Sequence, residues 1–193
     1  MSITEQMIGT GPRGGFRVPG LRIENIRNAA DGFRNFLNIG DEPQKVNLGS
    51  FLDMLSVKYS VNYDVLESHE MPNPGIEACW EPESMTMYIR SDVFSNVCND
   101  SPRSRFTVIH ELGHGLLAHR RTINRTNEKR KVEIYEDSEW QADQFAAEFL
   151  MPLESIHKFK LKTASQIENQ FNVSTPAAIR RVNQLMKRGE LPC

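Results

Sequence analysis

The pentapeptide His110-Glu111-Leu112-Gly113-His114 constrains this chain more than any other stretch of its sequence. Two histidines four residues apart lie on the same face of an α-helix, so both imidazoles can reach one metal ion. The glutamate between them would lie beside the open coordination position, where it could take a proton from an attacking water. The pattern therefore predicts a helix that carries two metal ligands and a general base.

The flanking sequence indicates that this helix is buried. Apolar positions recur at helical spacing on both sides of the pentapeptide, within residues 105–109 and at Leu112, Leu116 and Leu117. Buried imidazoles need polar partners, and one metal ion would satisfy a nitrogen of each ring. The alternative is an exposed helix that carries two incidental histidines and a glutamate.

A catalytic zinc site usually has three protein ligands, so a third should lie downstream. Residues 137–152 contain a helical apolar stripe, and Pro152 favours an end to that helix. Glu139 and Asp143 lie one turn apart beside the stripe. We expect Glu139 to bind the metal and Asp143 to accept a hydrogen bond from a ligand imidazole, which would fix the tautomer and orientation of that ring.

Two motifs within residues 104–152 together resemble the ImmA/IrrE family of metallo-endopeptidases. They are Phe106-Thr107-Val108-Ile109-His110-Glu111-Leu112-Gly113-His114 and Glu139-x-x-Ala142-Asp143-x-Phe145-Ala146-x-x-Phe149-Leu150-Met151-Pro152. The resemblance implies that zinc is held by His110, His114 and Glu139. It also implies that Glu111 is the general base and that Asp143 supports a ligand.

Two polar residues near these motifs are expected to lie away from the metal. Many relatives have another acid where this chain has Gln141, a position off the face shared by Glu139 and Asp143. We therefore expect Gln141 to change surface charge and to leave the metal site unaffected. His119 falls off the metal face of a continuous helix and is expected at the helix C-terminus, where the dipole favours a cation. The alternative is that His119 steadies reaction intermediates.

Length and composition favour one globular domain. The chain has 193 residues, of which 39% are hydrophobic and 25% are charged, and no apolar run approaches the roughly twenty residues of a membrane helix. A net charge of −2 gives no global reason to expect nucleic acid or an anionic membrane as partner. Three cysteines leave an odd thiol, which fits a reducing cytoplasm.

The pattern along the chain predicts an α+β fold in three parts. A flexible, glycine- and proline-rich lead-in over 1–20 precedes a zincin-like metallopeptidase domain over 21–160 and a C-terminal helical pair over 161–193. Strand character at 61–66, 75–80 and 85–90 predicts a small antiparallel sheet. We expect Met85 to Arg90 to be an exposed edge that an extended substrate pairs with, although an ordinary structural strand is an equal alternative.

Two basic segments leave alternatives open. The C-terminal pair resembles a helix-turn-helix and carries Arg180 and Arg181, so it could read DNA, but we favour a pair that packs on the same domain. Residues 120–131 hold six basic residues against one acid. This stretch reads as a solvated loop, and a substrate-docking surface is the alternative.

These features predict a zinc-dependent endopeptidase of the cytoplasm that cleaves a protein substrate at limited sites. The family resemblance suggests a DNA-binding repressor of the helix-turn-helix type, or another regulator, as that substrate. Nucleic acid is not an expected partner. The alternative is a metal-bearing regulatory or antitoxin-like module that binds a protein without appreciable turnover. The two hypotheses differ in whether the chain needs the carboxylate of Glu111.

Overall fold

The computed structural model describes residues 13–42, 47–73, 75–119 and 131–192, and this part of the chain confirms the α+β class. It contains eight α-helices, a short 3-10 turn at Ile134–Glu136 and a three-stranded sheet. In chain order the elements are α1 (Ile23–Phe36), α2 (Leu48–Tyr59), β1 (Asn62–Leu66), β2 (Ala78–Glu81), β3 (Thr86–Arg90), α3 (Ser91–Cys98), α4 (Pro102–Leu116), α5 (Ser138–Leu150), α6 (Leu153–Lys158), α7 (Ala164–Phe171) and α8 (Thr175–Lys187).

The sheet differs from the predicted one in direction and in strand order. Its order is β1-β3-β2, with β2 antiparallel and β1 parallel to β3. The prediction of a wholly antiparallel sheet is therefore wrong, and so is the prediction that Met85 to Arg90 forms an edge. Met87 and Ile89 of β3 are fully buried, as suits a central strand. The edge strands are β1 and β2.

Helix α4 crosses the core between α5 and β2, and two glycines let it approach both. A Cβ on Gly113 would lie 3.0 Å from the ring of Phe145 on α5, and a Cβ on Gly115 would lie 2.8 Å from the indole of Trp80 on β2. On the other side of α5, Phe33 of α1 packs on Phe149 with ring centroids 5.8 Å apart. The helix with the pentapeptide is therefore held on two sides.

Residues 13–20 are bound to the body of the protein, contrary to the expected flexible lead-in. Val18 N donates to Glu136 O at 2.8 Å, and Ser138 N donates to Phe16 O at 3.1 Å. A Cβ on Gly15 would lie 2.7 Å from the amide nitrogen of Glu139, so only glycine fits this contact. Backbone pairing with the start of α5 fixes this stretch, while residues 1–12 lie outside the described part of the chain.

The C-terminal helices pack on the core through a buried ion pair. Arg181 of α8 donates to both carboxylate oxygens of Glu148 on α5, at 2.7 and 2.6 Å, and both side chains are fully buried. Arg27 of α1 contacts the same carboxylate at 3.1 Å. Arg181 is therefore occupied in the interior and cannot read DNA as the helix-turn-helix alternative requires.

Two other expectations concern the basic loop and the absence of a membrane-spanning helix. Residues 120–130 of the predicted basic loop lie outside the described residues, so its docking role stays a prediction. Among the helices that the structure describes, none has the length and apolar character that a membrane span needs.

Candidate metal centre

Three potential metal ligands converge between α4 and α5. The Nε2 atom of His110 lies 3.2 Å from Nε2 of His114 and 3.1 Å from Oε2 of Glu139. The Nε2 atom of His114 lies 3.4 Å from Oε1 of the same glutamate. We call these three side chains the donor cluster; within the described ranges they form the group of histidine and acidic residues able to hold a metal ion.

The geometry of the donor cluster suits a small divalent cation. Zinc binds imidazole nitrogen at about 2.0–2.1 Å, which in a tetrahedral site places neighbouring ligand atoms about 3.3 Å apart. The three separations in the cluster, 3.1 to 3.4 Å, are close to that value. Two imidazoles and one carboxylate are also a ligand set that zinc uses in hydrolytic enzymes. The residues present therefore fit the zinc that the sequence resemblance implies.

The start of α5 positions Glu139. Asp137 is the N-cap of this helix, and its Oδ1 accepts from the amides of Glu139 and Trp140 at 2.9 and 3.2 Å. Arg13 N donates to the other carboxylate oxygen of Asp137 at 2.6 Å. The cap satisfies the free amides of the first turn and fixes where the helix begins. Glu139 is thereby held in the first turn, facing α4.

Asp143 lies one turn further along α5 and contacts the first histidine. Its Oδ1 lies 3.1 Å from Nδ1 of His110, the nitrogen that faces away from the cluster. A carboxylate in this place holds the ring so that Nε2 points into the donor cluster. The structure thus brings together the predicted ligands and their predicted support.

Glu111 reaches across to the sheet. Its Oε2 accepts a hydrogen bond from the backbone amide of Trp80 on β2 at 2.9 Å. Burial raises the pKa of this carboxyl to about 7, although the neighbouring charge of His110 acts in the opposite direction. A carboxyl that exchanges its proton near neutral pH suits a general base.

Protons are shared unequally in the donor cluster. Burial opposes protonation of His110, but its hydrogen bonds to Asp143 and Glu139 outweigh burial and raise the pKa of the ring to about 10. Burial and the proximity of the His110 and His119 rings hold the pKa of His114 well below its usual value. A divalent cation in the cluster would therefore take the place of one proton on His110.

The expectation that His119 and Gln141 lie away from the metal site is wrong. His119 is only 4% exposed, and its Nδ1 lies 3.0 Å from Nδ1 of His114. Its Nε2 lies 2.9 Å from Oε1 of Gln141, which is fully buried. Gln141 therefore contributes to the surroundings of the second histidine and not to surface charge.

The reason for this error lies in the end of α4. The helix ends at Leu116, and Ala118 adopts a left-handed conformation with φ of 53°. His119 N donates to His114 O at 2.9 Å and Ala118 N donates to Gly115 O at 3.1 Å, the two hydrogen bonds of a Schellman motif. This motif turns the chain back, so His119 lies over His114. The five-residue spacing between His114 and His119 carries the signal, but only once the end of the helix is known.

Comparison with known families decides where this chain belongs. The model described as Peptidase_M78, the IrrE N-terminal-like domain, matches residues 77–183, which is more than half of the 193 residues. The chain belongs to this peptidase family. A comparison with curated proteins gives no match.

The IrrE N-terminal-like match contains the whole donor cluster. It begins just before β2 and ends within α8, so it includes Glu111, Asp143 and the pair His119 and Gln141. Helices α1 and α2, strand β1 and residues 13–20 lie before the matched region. The sequence resemblance to this family is therefore confirmed.

Proposed function

We propose that this chain is a zinc-dependent endopeptidase in which His110, His114 and Glu139 hold the metal and Glu111 is the general base. The observation that carries the proposal is the position of Glu111, which follows one ligand directly in sequence and is fixed by the Trp80 amide. A zinc ion in the donor cluster would supply Lewis acidity to the peptide carbonyl and to the attacking water.

Glu111 and Asp143 have the other roles in the proposed mechanism. Glu111 accepts the proton of the attacking water and later returns it to the leaving amine. Its hydrogen bond to the Trp80 amide fixes one carboxylate oxygen, so the other is free to face the reacting water. Asp143 keeps the ring of His110 in its ligating orientation.

The outer edge of β2 supports the binding of an extended peptide. β2 pairs with β3 on one side only, and the Trp80 amide points away from β3 toward Glu111. Backbone N–H and C=O groups of one strand residue point the same way, so the Trp80 carbonyl also faces the outer edge. A substrate strand added there would bring its backbone beside Glu111.

The substrate class and the location are the finer parts of this proposal. The resemblance of the sequence to its family supports limited cleavage of a regulator, such as a helix-turn-helix repressor. A cytoplasmic location is supported by the thiols, because Cys79 and Cys98 are both free. Co-expression with repressors encoded nearby, followed by mass measurement of fragments, tests substrate and turnover together.

Glu111→Gln is the variant that tests the enzyme hypothesis against a regulatory module without turnover. Gln can still accept from the Trp80 amide and leaves the ligands unchanged, so we expect wild-type zinc content and a loss of cleavage of at least about 10²-fold. Glu24→Gln, on the exposed face of α1, is the matched control and should cleave normally. Undiminished cleavage by Glu111→Gln would contradict the proposal.

A further inference from the structure

We propose that His119 and Gln141 are positioning residues that fix the ring of His114 with its proton on Nδ1 and its Nε2 lone pair toward the donor cluster. This inference rests on the proposed function, because it takes the donor cluster as the metal site. It deepens that function by assigning a support to the second histidine, as Asp143 supports the first.

Three hydrogen-bond partners fix the orientation of the Gln141 amide. Its Nε2 donates to Pro19 O at 2.9 Å and to Tyr135 O at 2.7 Å. Backbone carbonyls only accept hydrogen bonds, so the NH₂ group must face them and Oε1 must face His119. The residues that hold the amide come from the stretch before α1 and from the turn before α5.

The amide orientation then determines the protons of both rings. Oε1 of Gln141 only accepts, so Nε2 of His119 carries a hydrogen, and Nδ1 of a neutral His119 is an acceptor. The partner of that acceptor, Nδ1 of His114, must therefore donate. A neutral imidazole has one N–H group, so Nε2 of His114 has a free lone pair and faces Nε2 of His110.

The backbone accepts an unusual conformation to make this contact. Ala118 has φ of 53°, a region that residues other than glycine adopt rarely. The ring centroids of His114 and His119 lie 5.0 Å apart, in an edge-to-face arrangement. The contact between these rings takes the place of the apolar contact that usually accompanies a Schellman motif.

The two ligand rings thus differ in their supports. His110 has the carboxylate of Asp143, while His114 has a neutral ring that is itself held by a neutral amide. The pair His119 and Gln141 fixes direction without adding charge. A carboxylate at position 141 would lose the NH₂ group and would place an oxygen against Pro19 O and Tyr135 O, so Gln141 cannot be exchanged freely for an acid here.

Tautomers can be read directly by long-range ¹H–¹⁵N correlation of the metal-free protein labelled with ¹⁵N-histidine. We expect the His114 ring of the wild-type protein to carry its proton on Nδ1. In His119→Phe, which removes the acceptor, we expect a shift toward the Nε2–H form. A wild-type His114 with its proton on Nε2, or the same tautomer in both proteins, would overturn the inference.

Zinc affinity, measured by competition with a chromogenic chelator, gives the second readout. We expect His119→Phe and Gln141→Leu to bind zinc about 10–100-fold more weakly than wild type. His119→Asn should bind nearly as tightly as wild type, because its amide oxygen can lie where Nδ1 of histidine lies. His157→Phe removes an exposed histidine on α6 and serves as the control.

Failures of the two proposals are distinguishable. Wild-type protein that takes up no zinc contradicts the proposed function, while the tautomer of its His114 still tests this inference. Wild-type protein that binds zinc, together with His119→Phe and Gln141→Leu of equal affinity, contradicts only the inference. If His119→Phe does not fold by circular dichroism, Gln141→Leu and the wild-type tautomer decide the matter.

Discussion

Asp143 contacts His110 without belonging to the donor cluster, so its removal isolates the effect of ring orientation. Asp143→Ala takes away the acceptor 3.1 Å from Nδ1 of His110. We expect zinc affinity to fall by about 10–100-fold, and Asp143→Asn, which keeps an oxygen, to lose less. Chelator competition measures both, with the exposed Asp64→Ala on β1 as control. Equal affinity of Asp143→Ala and wild type would contradict this role.

Alanine substitutions at two glycines on different helices distinguish the effect of helix propensity on stability from the effect of packing. Gly115→Ala should gain about 1 kcal/mol of helix propensity, but the new Cβ would lie 2.8 Å from the Trp80 indole. We expect the clash to dominate, with a net loss of about 1–3 kcal/mol in the free energy of unfolding. Trp80 also holds Glu111, so cleavage should fall as well.

Gly32→Ala is the matched control within α1. Nothing lies within 4 Å of a Cβ at this position, so only propensity acts. We expect this substitution to stabilise the protein by about 0.5–1 kcal/mol and to leave cleavage unchanged. Urea unfolding of both alanine variants checks the pair, and Gly115→Ala as stable as Gly32→Ala would show that α4 and β2 are not in close contact.

Local sequence signals predict most elements, and non-local contacts explain the failures. Ser174 and Pro176 are typical of a helix start, and α8 begins between them at Thr175, within the predicted C-terminal helical pair over 161–193. The prediction omits α3 altogether, although the structure has it at Ser91–Cys98. Strand order cannot be read in the same way, because β1 pairs with a strand twenty-four residues further along and not with its nearest neighbour, β2.

In the candidate metal centre, too, local sequence signals predict some residues, while the positions of others depend on non-local contacts. The spacing of polar residues along α4 and along α5 is enough to indicate every member of the donor cluster. His119 escapes prediction because the end of α4 depends on a left-handed alanine, and alanine is not a residue that signals this conformation. Gln141 is missed for the same reason, because its partner His119 is expected to lie away from the metal site.

Three helices of the molecule meet at one buried carboxylate. Glu148 of α5 accepts from Arg181 of α8 and Arg27 of α1. Glu148→Gln would leave the fully buried Arg181 without its charge partner, so we expect a loss of about 3–5 kcal/mol in the free energy of unfolding. Urea denaturation measures it, with the exposed Glu24→Gln as control. A loss below about 1 kcal/mol would contradict this role of the ion pair.

The Glu148 carboxylate makes the stability of the folded protein depend on pH. Burial alone would raise the pKa of Glu148, but the hydrogen bonds and charges of Arg181 and Arg27 outweigh it and hold the pKa below its usual value. The folded state therefore favours the carboxylate more than the unfolded state does. This contribution is complete above the unfolded pKa of about 4.3 and is lost as pH falls through the folded pKa.

Unfolding of wild type and Glu148→Gln across pH tests this linkage. We expect their difference in stability to be constant between about pH 7 and pH 5 and to shrink as pH falls further toward about 3. A difference that stays constant or grows over the acidic range would mean that the ion pair is not responsible.

The proposed chemistry of the whole molecule depends on one metal ion held between α4 and α5. The most direct measurement is zinc K-edge X-ray absorption of the purified full chain, together with its zinc content. We expect one zinc per chain with nitrogen and oxygen neighbours at about 2.0–2.1 Å, two of them imidazoles, and no sulfur. This signal should be lost in Glu139→Ala. Protein that neither contains nor takes up zinc, or a spectrum unchanged by Glu139→Ala, would contradict the proposed metal centre.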